Sequence, residues 1–383
     1  MIPFNKPFII GNELRYIEEA VKSGKISGDG LFTEKCQVFF EQRYNFSKVL
    51  LTTSCTDALE MAAILCNIET GDEVIVPSYT FVSSANAFVL RGAKIVFVDS
   101  NSDNPNVDPD EIEKYITAKT KVIVCVHYAG VACDMERIMN IADRYKLFVV
   151  EDAAQAIDSY YTFSNGQSKA LGSIGHFAAF SFHETKNIIA GEGGMLVIND
   201  LQYAERAEVI REKGTNRSAF FRGEVNKYGW VDLGSSFLPS EIIAAFLFAQ
   251  LEKLEAIQAK RKSIWSSYYD KLKTLCKDGH FKLPYIPDNA TNNAHMFYIL
   301  CNSYKDRTRL IEYLKSKDIY PVFHYISLNK SEYFLKSNSV IDIPNSDKYT
   351  DRLLRLPFYY ELDELELEII TSEIIKFYTI FKN

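Results

Sequence analysis

Lys186 lies in the segment Ser181-Phe182-His183-Glu184-Thr185-Lys186-Asn187. It follows an acidic run, Val149-Val150-Glu151-Asp152-Ala153-Ala154-Gln155, and precedes a glycine cluster, Gly191-Glu192-Gly193-Gly194. A lysine on a turn after an apolar strand, with an aspartate at another strand end, is the layout of a pyridoxal phosphate (PLP) site. The lysine amine forms a Schiff base with the cofactor aldehyde. The aspartate pairs with the pyridinium nitrogen and keeps it protonated, so the ring can take electrons from a substrate carbanion. A strand-end lysine alone is usually just solvated, so the reading depends on its neighbours.

Those neighbours supply the remaining functions. Leu51-Thr52-Thr53-Ser54-Cys55-Thr56-Asp57-Ala58-Leu59 runs from a strand into a helix. Its backbone N–H groups and the hydroxyls of Ser54 and Thr56 would seat a phosphate at the helix start. A plain helix cap is the simpler alternative. Phe81, at the next strand-to-helix junction, can stack on a pyridine ring or fill the core. Asp152 and Gln155 are three apart, which lets a carboxylate reach the ring nitrogen while an amide reaches the phenolic oxygen. A helix-capping role for Asp152 competes with that. Ser181 could add a phosphate contact. His183 could face the substrate through alternation with Lys186, but a hydrogen-bonded core histidine is the commoner case.

These residues must be positioned by a sheet. Strand-like runs at 48–53, 73–77, 94–99, 121–126 and 147–151 alternate with helical patterns at 56–66, 81–91, 110–118 and 134–144. Short β-branched runs between amphipathic helices indicate an α/β fold, with a mostly parallel sheet covered on both faces. Ligands of such sheets sit beyond the carboxyl ends of the strands. Two further strands, 177–183 and 194–199, would flank the lysine turn. Ser240 is the expected N-cap of one long helix from 241 to about 275. That helix would leave a large domain (1–250) and enter a smaller α+β domain (251–383). The smaller domain would hold strands at 294–301 and 320–325 and helices at 306–317 and 364–381.

Bulk properties exclude several classes. The net charge of -7 and the lack of a basic tract argue against a nucleic-acid partner. Seven irregularly spaced cysteines contain no metal-type pair and suggest a reducing compartment. No apolar stretch approaches the ~20 residues of a membrane span, and the start lacks the apolar core of a signal peptide. The cytoplasm is the default. A nicotinamide dehydrogenase is disfavoured, because no Gly-x-Gly-x-x-Gly follows the first strand.

The motifs together resemble the nucleotide-sugar aminotransferases, PLP enzymes of fold type I (the aspartate-aminotransferase fold). Gly71-Asp72-Glu73-Val74-Ile75-Val76-Pro77, Glu151-Asp152-Ala153-Ala154-Gln155 and Ser181–Asn187 carry the resemblance, with the glycine cluster behind them. It extends from Ile2-Pro3-Phe4 to Leu354-Arg355-Leu356-Pro357. Within the family, residues 1–6, 54–91, 127–133, 181–187, 211–223 and 322–326 most resemble a branch acting on C4 of a dTDP-4-keto-6-deoxy sugar. The resemblance implies a homodimer, L-glutamate as amino donor, a dTDP-keto-sugar as acceptor and a product for cell-surface glycans. Amination at C3, or the opposite configuration at C4, stays open. A non-catalytic PLP-binding protein is disfavoured by retention of Lys186, Asp152 and Gln155.

Carried over by position, Lys186 is the Schiff-base lysine, Asp152 the pyridinium partner and Gln155 the ligand of the phenolic oxygen. Cys55, Thr56 and Ser181 hold the phosphate, Cys55 through its backbone N–H, and Phe81 covers the ring. The resemblance also implies a phosphate contact across the dimer at Ser236, where many relatives carry the longer Asn. His324 opens a loop, His324-Tyr325-Ile326-Ser327-Leu328-Asn329, that lacks the family's terminal histidine. Arg211-Glu212-Lys213-Gly214-Thr215-Asn216-Arg217 offers Arg211, Lys213 and Arg217 to a nucleotide diphosphate; a solvated basic loop is the alternative. Gly28, in Ser27-Gly28-Asp29-Gly30, resembles a segment lining the sugar site or is a plain turn.

Overall fold

The computed structural model describes residues 1–380. Two helices, α1 (Glu13–Lys22) and α2 (Leu31–Tyr44), precede the first strand, β1 (Lys48–Thr52). The chain then alternates through α3 (Cys55–Leu65), β2 (Glu73–Pro77), α4 (Ser83–Val89), β3 (Lys94–Val98), α5 (Pro109–Lys114), β4 (Thr120–Val126), α6 (Met135–Tyr145) and β5 (Phe148–Asp152). A hairpin of β6 (Tyr160–Thr162) and β7 (Ser168–Ala170) intervenes before β8 (Phe177–Ser181) and β9 (Gly194–Ile198).

Seven of these strands form one sheet in the order β1-β9-β8-β5-β4-β2-β3. Pairing is parallel from β3 through β2, β4 and β5 to β8, and only β9 runs against its neighbours. This is the expected mostly parallel sheet. Period-two alternation divides its side chains between two cores. Val49, Leu51, Ile75, Ile123, Val149 and Phe180 face one side. Leu50, Val74, Val76, Val124, Val150 and Phe177 face the other. Both faces are therefore covered, and the carboxyl ends of β1, β2, β4, β5 and β8 converge on one edge.

After α7 (Ala204–Arg211) and α8 (Arg217–Phe221), the expected long helix is two helices, α9 (Glu241–Leu251) and α10 (Leu254–Lys277). The break falls at Glu252 and Lys253, where no Pro or Gly marks it. Ser240 occupies the cap position of α9, but its side chain makes no capping hydrogen bond. Instead the buried Glu241 carboxylate accepts from the N–H groups of Gly30 (3.0 Å), Phe32 (2.8 Å) and Thr33 (3.1 Å), closing the start of α2.

A second, antiparallel sheet has the order β10-β11-β13-β12, from β10 (Phe281–Lys282), β11 (Tyr298–Cys301), β12 (Val322–Phe323) and β13 (Leu353–Arg355). It packs with α10, α11 (Tyr304–Lys315) and α12 (Glu364–Ile380) around Tyr268, Phe297, Ile299, Leu314, Leu354 and Ile370. Residue 381, the last of the expected final helix, lies outside the described residues. Ile2 joins this layer by pairing with Ile319. Tyr79, Tyr128, Met296, Tyr298, Tyr349 and Leu353 form a smaller cluster linking the two sheets. Among the described residues, no helix is long and apolar enough to cross a membrane.

Candidate active site

The strand ends and the second sheet enclose a cavity of about 700 Å³. Ser54, Cys55, Thr56, Phe81, Asp152, Gln155, Ser181, Lys186 and His324 all line it. Nine of the expected site residues therefore meet at the carboxyl edge of the large sheet. The fold dictates this: β1, β2, β5 and β8 all end at the same edge of the sheet, and each delivers its following residues there.

The Lys186 amine is enclosed by protein. Burial pulls its pKa below the ordinary lysine value; Asp152 opposes that shift, and Arg355 adds to it. Asp152, at the end of β5, is buried. Its Oδ2 accepts from the Ser84 hydroxyl at 2.6 Å and its Oδ1 from the Ala154 N–H at 3.2 Å. The Thr80 and Ser84 hydroxyls are 2.7 Å apart and extend that network. A carboxylate so held keeps a fixed orientation. Gln155 is oriented as firmly: its Oε1 accepts from the Ala129 N–H at 2.6 Å, which leaves Nε2 to donate to the Tyr325 hydroxyl at 3.1 Å.

The β1–α3 turn combines both sequence readings. Ser54 caps α3, its hydroxyl accepting from the Asp57 N–H. The N–H groups of Cys55 and Thr56 then have no intrahelical acceptor, and the Thr56 hydroxyl lies 2.8 Å from that of Ser83. Gly194 explains how β9 passes so close: a Cβ there would lie 2.3 Å from the Ser54 carbonyl carbon and 2.5 Å from the Cys55 nitrogen. Of the other cluster glycines, Gly191 is left-handed (φ +77°), whereas Gly193 has room for a side chain. Free helix-start donors, a buried amine opposite a fixed carboxylate, and an oriented amide form a donor set that fits PLP.

Sequence reasoning missed His295, Tyr325, Ser84 and Arg355. Asn187 donates to Gln258 Oε1 (2.8 Å) and the Asn293 carbonyl (2.9 Å), so its Oδ1 is free to accept from His295 Nδ1 at 2.8 Å. Burial, reinforced by Lys186 and Arg355, holds His295 well below the usual histidine pKa. His324 is likewise held neutral, first by burial and then by Arg355, with Nδ1 2.7 Å from the Tyr128 hydroxyl. His183 borders the cavity, its Nδ1 2.9 Å from the Thr185 hydroxyl.

Five expected residues do not reach this cavity within one chain: Ser236, Lys213, Arg217, Arg211 and Gly28. Arg211 is buried and bound to Asp29 at 2.7 Å, which makes it part of the scaffold. Arg217 and Lys213 lie 3.4 and 3.8 Å from Glu212, which offsets their charge. Ser236 bridges Glu212. Gly28 is a turn glycine (φ +96°) whose Cβ would meet the Pro239 carbonyl at 2.3 Å. Gly28, Arg211 and Arg217 line a separate cleft of about 510 Å³.

The profile of the DegT/DnrJ/EryC1/StrS aminotransferases matches residues 7–374. The chain belongs to this family. It is 32% identical to the uncharacterized protein MJ1066 of Methanocaldococcus jannaschii, covering 97% of this chain and 96% of that one. It is 30% identical to the spore coat polysaccharide biosynthesis protein SpsC of Bacillus subtilis, with the same coverage. The solved aminotransferase from Psychrobacter cryohalolentis superposes over the full length of both chains, with TM-score 0.91 at 26% identity. Membership makes the protein a PLP-dependent sugar aminotransferase, and the cavity is where this chain gathers the groups such an enzyme requires.

Proposed function

We propose that the protein moves the amino group of L-glutamate to C4 of dTDP-4-keto-6-deoxy-D-glucose, giving the galacto-configured dTDP-4-amino-4,6-dideoxy sugar. That is the activity of the dTDP-4-amino-4,6-dideoxygalactose transaminase of enterobacterial common antigen synthesis, to which we read the motifs at 54–91, 181–187 and 322–326 as similar. The observation that carries the chemical half of this reading is Lys186, enclosed and electrostatically discouraged from holding its proton, in one cavity with Asp152.

Bound PLP supplies a carbonyl that condenses with amines and a ring that accepts electrons from the adjacent carbon. In our reading Asp152 holds the ring nitrogen's proton, and Ser84 and the Ala154 N–H keep its carboxylate aimed. Gln155 donates to the phenolic oxygen in place of Tyr325. Cys55 and Thr56, with Ser181, hold the phosphate, and Phe81 covers one ring face. Lys186 Nζ takes the proton from Cα of glutamate in the first half-reaction. In the second it delivers a proton to C4 of the sugar, always from its own side of the cavity. A lysine with a lowered pKa has a neutral fraction at pH 7 that suits it to both tasks.

A homodimer is part of the proposal. Phe221, Tyr228, Trp230 and Val231 leave large apolar side chains exposed, with Trp230 83% accessible. They share a segment with Lys213, Arg217 and Ser236. A second copy covering this face would bring those polar groups to the partner's cavity. The cytoplasm fits seven free thiols.

The test is incubation with dTDP-4-keto-6-deoxyglucose and glutamate, followed by NMR of the nucleotide sugar. An axial amine at C4 is expected. An equatorial amine, an amine at C3, or transfer only to another nucleotide sugar would overturn the substrate assignment.

A further inference from the structure

A donor and an acceptor that border the cavity have no hydrogen-bond partner among the described residues. The donor is the Lys186 amine, and the acceptor is Nε2 of His295. Both residues line the cavity, and neither atom is sealed away from its open space. The surroundings of His295 set its tautomer. Asn187 gives its N–H bonds to Gln258 and the Asn293 carbonyl, so its Oδ1 accepts and His295 Nδ1 must donate. Burial keeps the imidazole neutral at pH 7, and Lys186 adds to that effect more than Arg355, Arg261 or His324 does. Nε2 therefore carries a lone pair and no proton.

The ring is held from its backbone as well. The His295 N–H donates to Asn293 Oδ1 at 3.0 Å, and its carbonyl accepts from Arg261 at 2.7 Å. Asn293 in turn donates to the carbonyls of Gln155 and Ile157, both at 2.8 Å. Asn187 is the residue after Lys186, so a single network fixes the imidazole and the chain that carries the lysine. Buried polar atoms are ordinarily hydrogen-bonded within the protein or to water. Here an oriented acceptor is left open on the wall of the cavity that holds an unpartnered amine.

We propose that His295 is the positioning residue for the Lys186 amine, its Nε2 accepting one N–H of Nζ whenever that amine is not bonded to the cofactor. The proposal rests on the role given to Lys186 above. An amine held by one N–H has its lone pair aimed, as proton abstraction from a substrate carbon requires. The contact also favours the ammonium that abstraction creates, because a charged donor makes the stronger hydrogen bond. A carboxylate in this place would hold the proton more firmly and oppose its delivery in the next step. Asp152 is engaged by Ser84 and the Ala154 N–H. The other titratable or charged groups acting on the amine are Cys55 and Arg355.

Two substitutions separate this role from a scaffold role. His295→Asn keeps a donor near Nδ1 for Asn187 and loses the acceptor at Nε2. His295→Gln places an acceptor oxygen near Nε2 and loses the donor at Nδ1. In the cofactor-free full-length protein, trace acetylation across a pH series, read by mass spectrometry of the Lys186 peptide, gives the pKa of that amine. His295→Asn should lower it by about 1 unit, and His295→Gln by less than about 0.3. In the loaded enzyme, the single-turnover rate at saturating glutamate should fall about 10-fold or more in His295→Asn and less than about threefold in His295→Gln. An unchanged amine pKa in His295→Asn, or an equal shift in His295→Gln, would overturn the proposal. The wild-type chain gives a test that needs no variant: with 15N-labelled histidine, Nε2 of His295 should be unprotonated at pH 7 and its resonance should move as Lys186 titrates. A proton on Nε2 at pH 7 would overturn the proposal. Borohydride reduction of the loaded wild type should fix the cofactor on Lys186, and fixation on another lysine would instead refute the lysine assignment itself.

Discussion

Gly194→Ala is the sharpest test of how the cofactor seat is built. A methyl group at this position would lie 2.3 Å from one backbone atom of Ser54 and 2.5 Å from one of Cys55. Both neighbours are main chain, so no rotamer change relieves the contact. Reaching an ordinary separation requires the β1–α3 turn to move by about 1 Å, carrying the first N–H groups of α3 with it. Overpacking of this kind costs about 1–3 kcal/mol. If that energy is taken from cofactor binding, the PLP dissociation constant rises about 5- to 150-fold. Gly193→Ala is the matched control, because its nearest neighbours, the Ala190 and Phe182 side chains, lie at 3.5 Å. PLP titration followed by protein fluorescence, with thermal unfolding of the cofactor-free forms, separates the two. Wild-type affinity and stability in Gly194→Ala, or equal damage from Gly193→Ala, would refute the close-approach argument.

Other outcomes follow from the same geometry. Burial sets the folded-state pKa of Lys186 below its unfolded value, so between the two the unfolded chain binds more protons and stability rises with pH. Lys186→Met should therefore stabilise the cofactor-free protein at pH 7. Thermal scans should show that advantage shrinking toward pH 10, by at most about 1.4 kcal/mol per pH unit; a constant advantage would indicate better packing alone. The same variant should lose transamination and the yellow colour of the loaded enzyme. Asp152→Asn should lower turnover at least about 100-fold, in line with breaking a buried ionic contact of about 3 kcal/mol or more. Its circular dichroism should stay unchanged, and near-normal turnover would mean another group serves the ring nitrogen. Trp230→Asp should shift sedimentation toward monomers and lower activity with it.

Local patterns made the catalytic edge legible. Each strand of the large sheet is a short apolar run, and the chemistry-bearing residues follow strand ends, so a parallel sheet brings them together whatever the loop details. The small second sheet was harder to read. Residues 320–325 look like a strand but only Val322–Phe323 pairs, because the chain turns at Tyr325 (φ +50°) to present His324 and Tyr325 to the cavity. Arg355 sits in the apolar run Leu354-Arg355-Leu356-Pro357 and His295 in no motif, and neither context marks a role at the site. Their importance comes from a long-range approach between sheets, which periodicity does not encode. The division of the 241–275 helix was equally invisible, since helix-forming residues run through Glu252 and Lys253 with no Pro or Gly between the two helices.

The basic segment 211–217 shows why charge in a sequence is weak evidence for a ligand. Its cations have acidic partners close in space and distant or modest in sequence signal: Asp29 for Arg211, and Glu212 for Lys213 and Arg217. Arg355 is the opposite case, a lone arginine in an apolar motif that the fold leaves without an acid. The contrast also separates Arg217 from Arg211 as candidates for the nucleotide. Arg211 is 3% exposed and its Asp29 contact would have to break, whereas Arg217 is 42% exposed and its Glu212 contact is long. If a second chain supplies donors to this cavity, Arg217 and Lys213 can turn outward at little cost, and Arg211 cannot. Arg217→Ala should therefore weaken nucleotide-sugar binding with the fold intact, while Arg211→Ala should lower the melting temperature first. Equal thermal destabilisation by the two would mean that both serve the scaffold and that the diphosphate is held elsewhere.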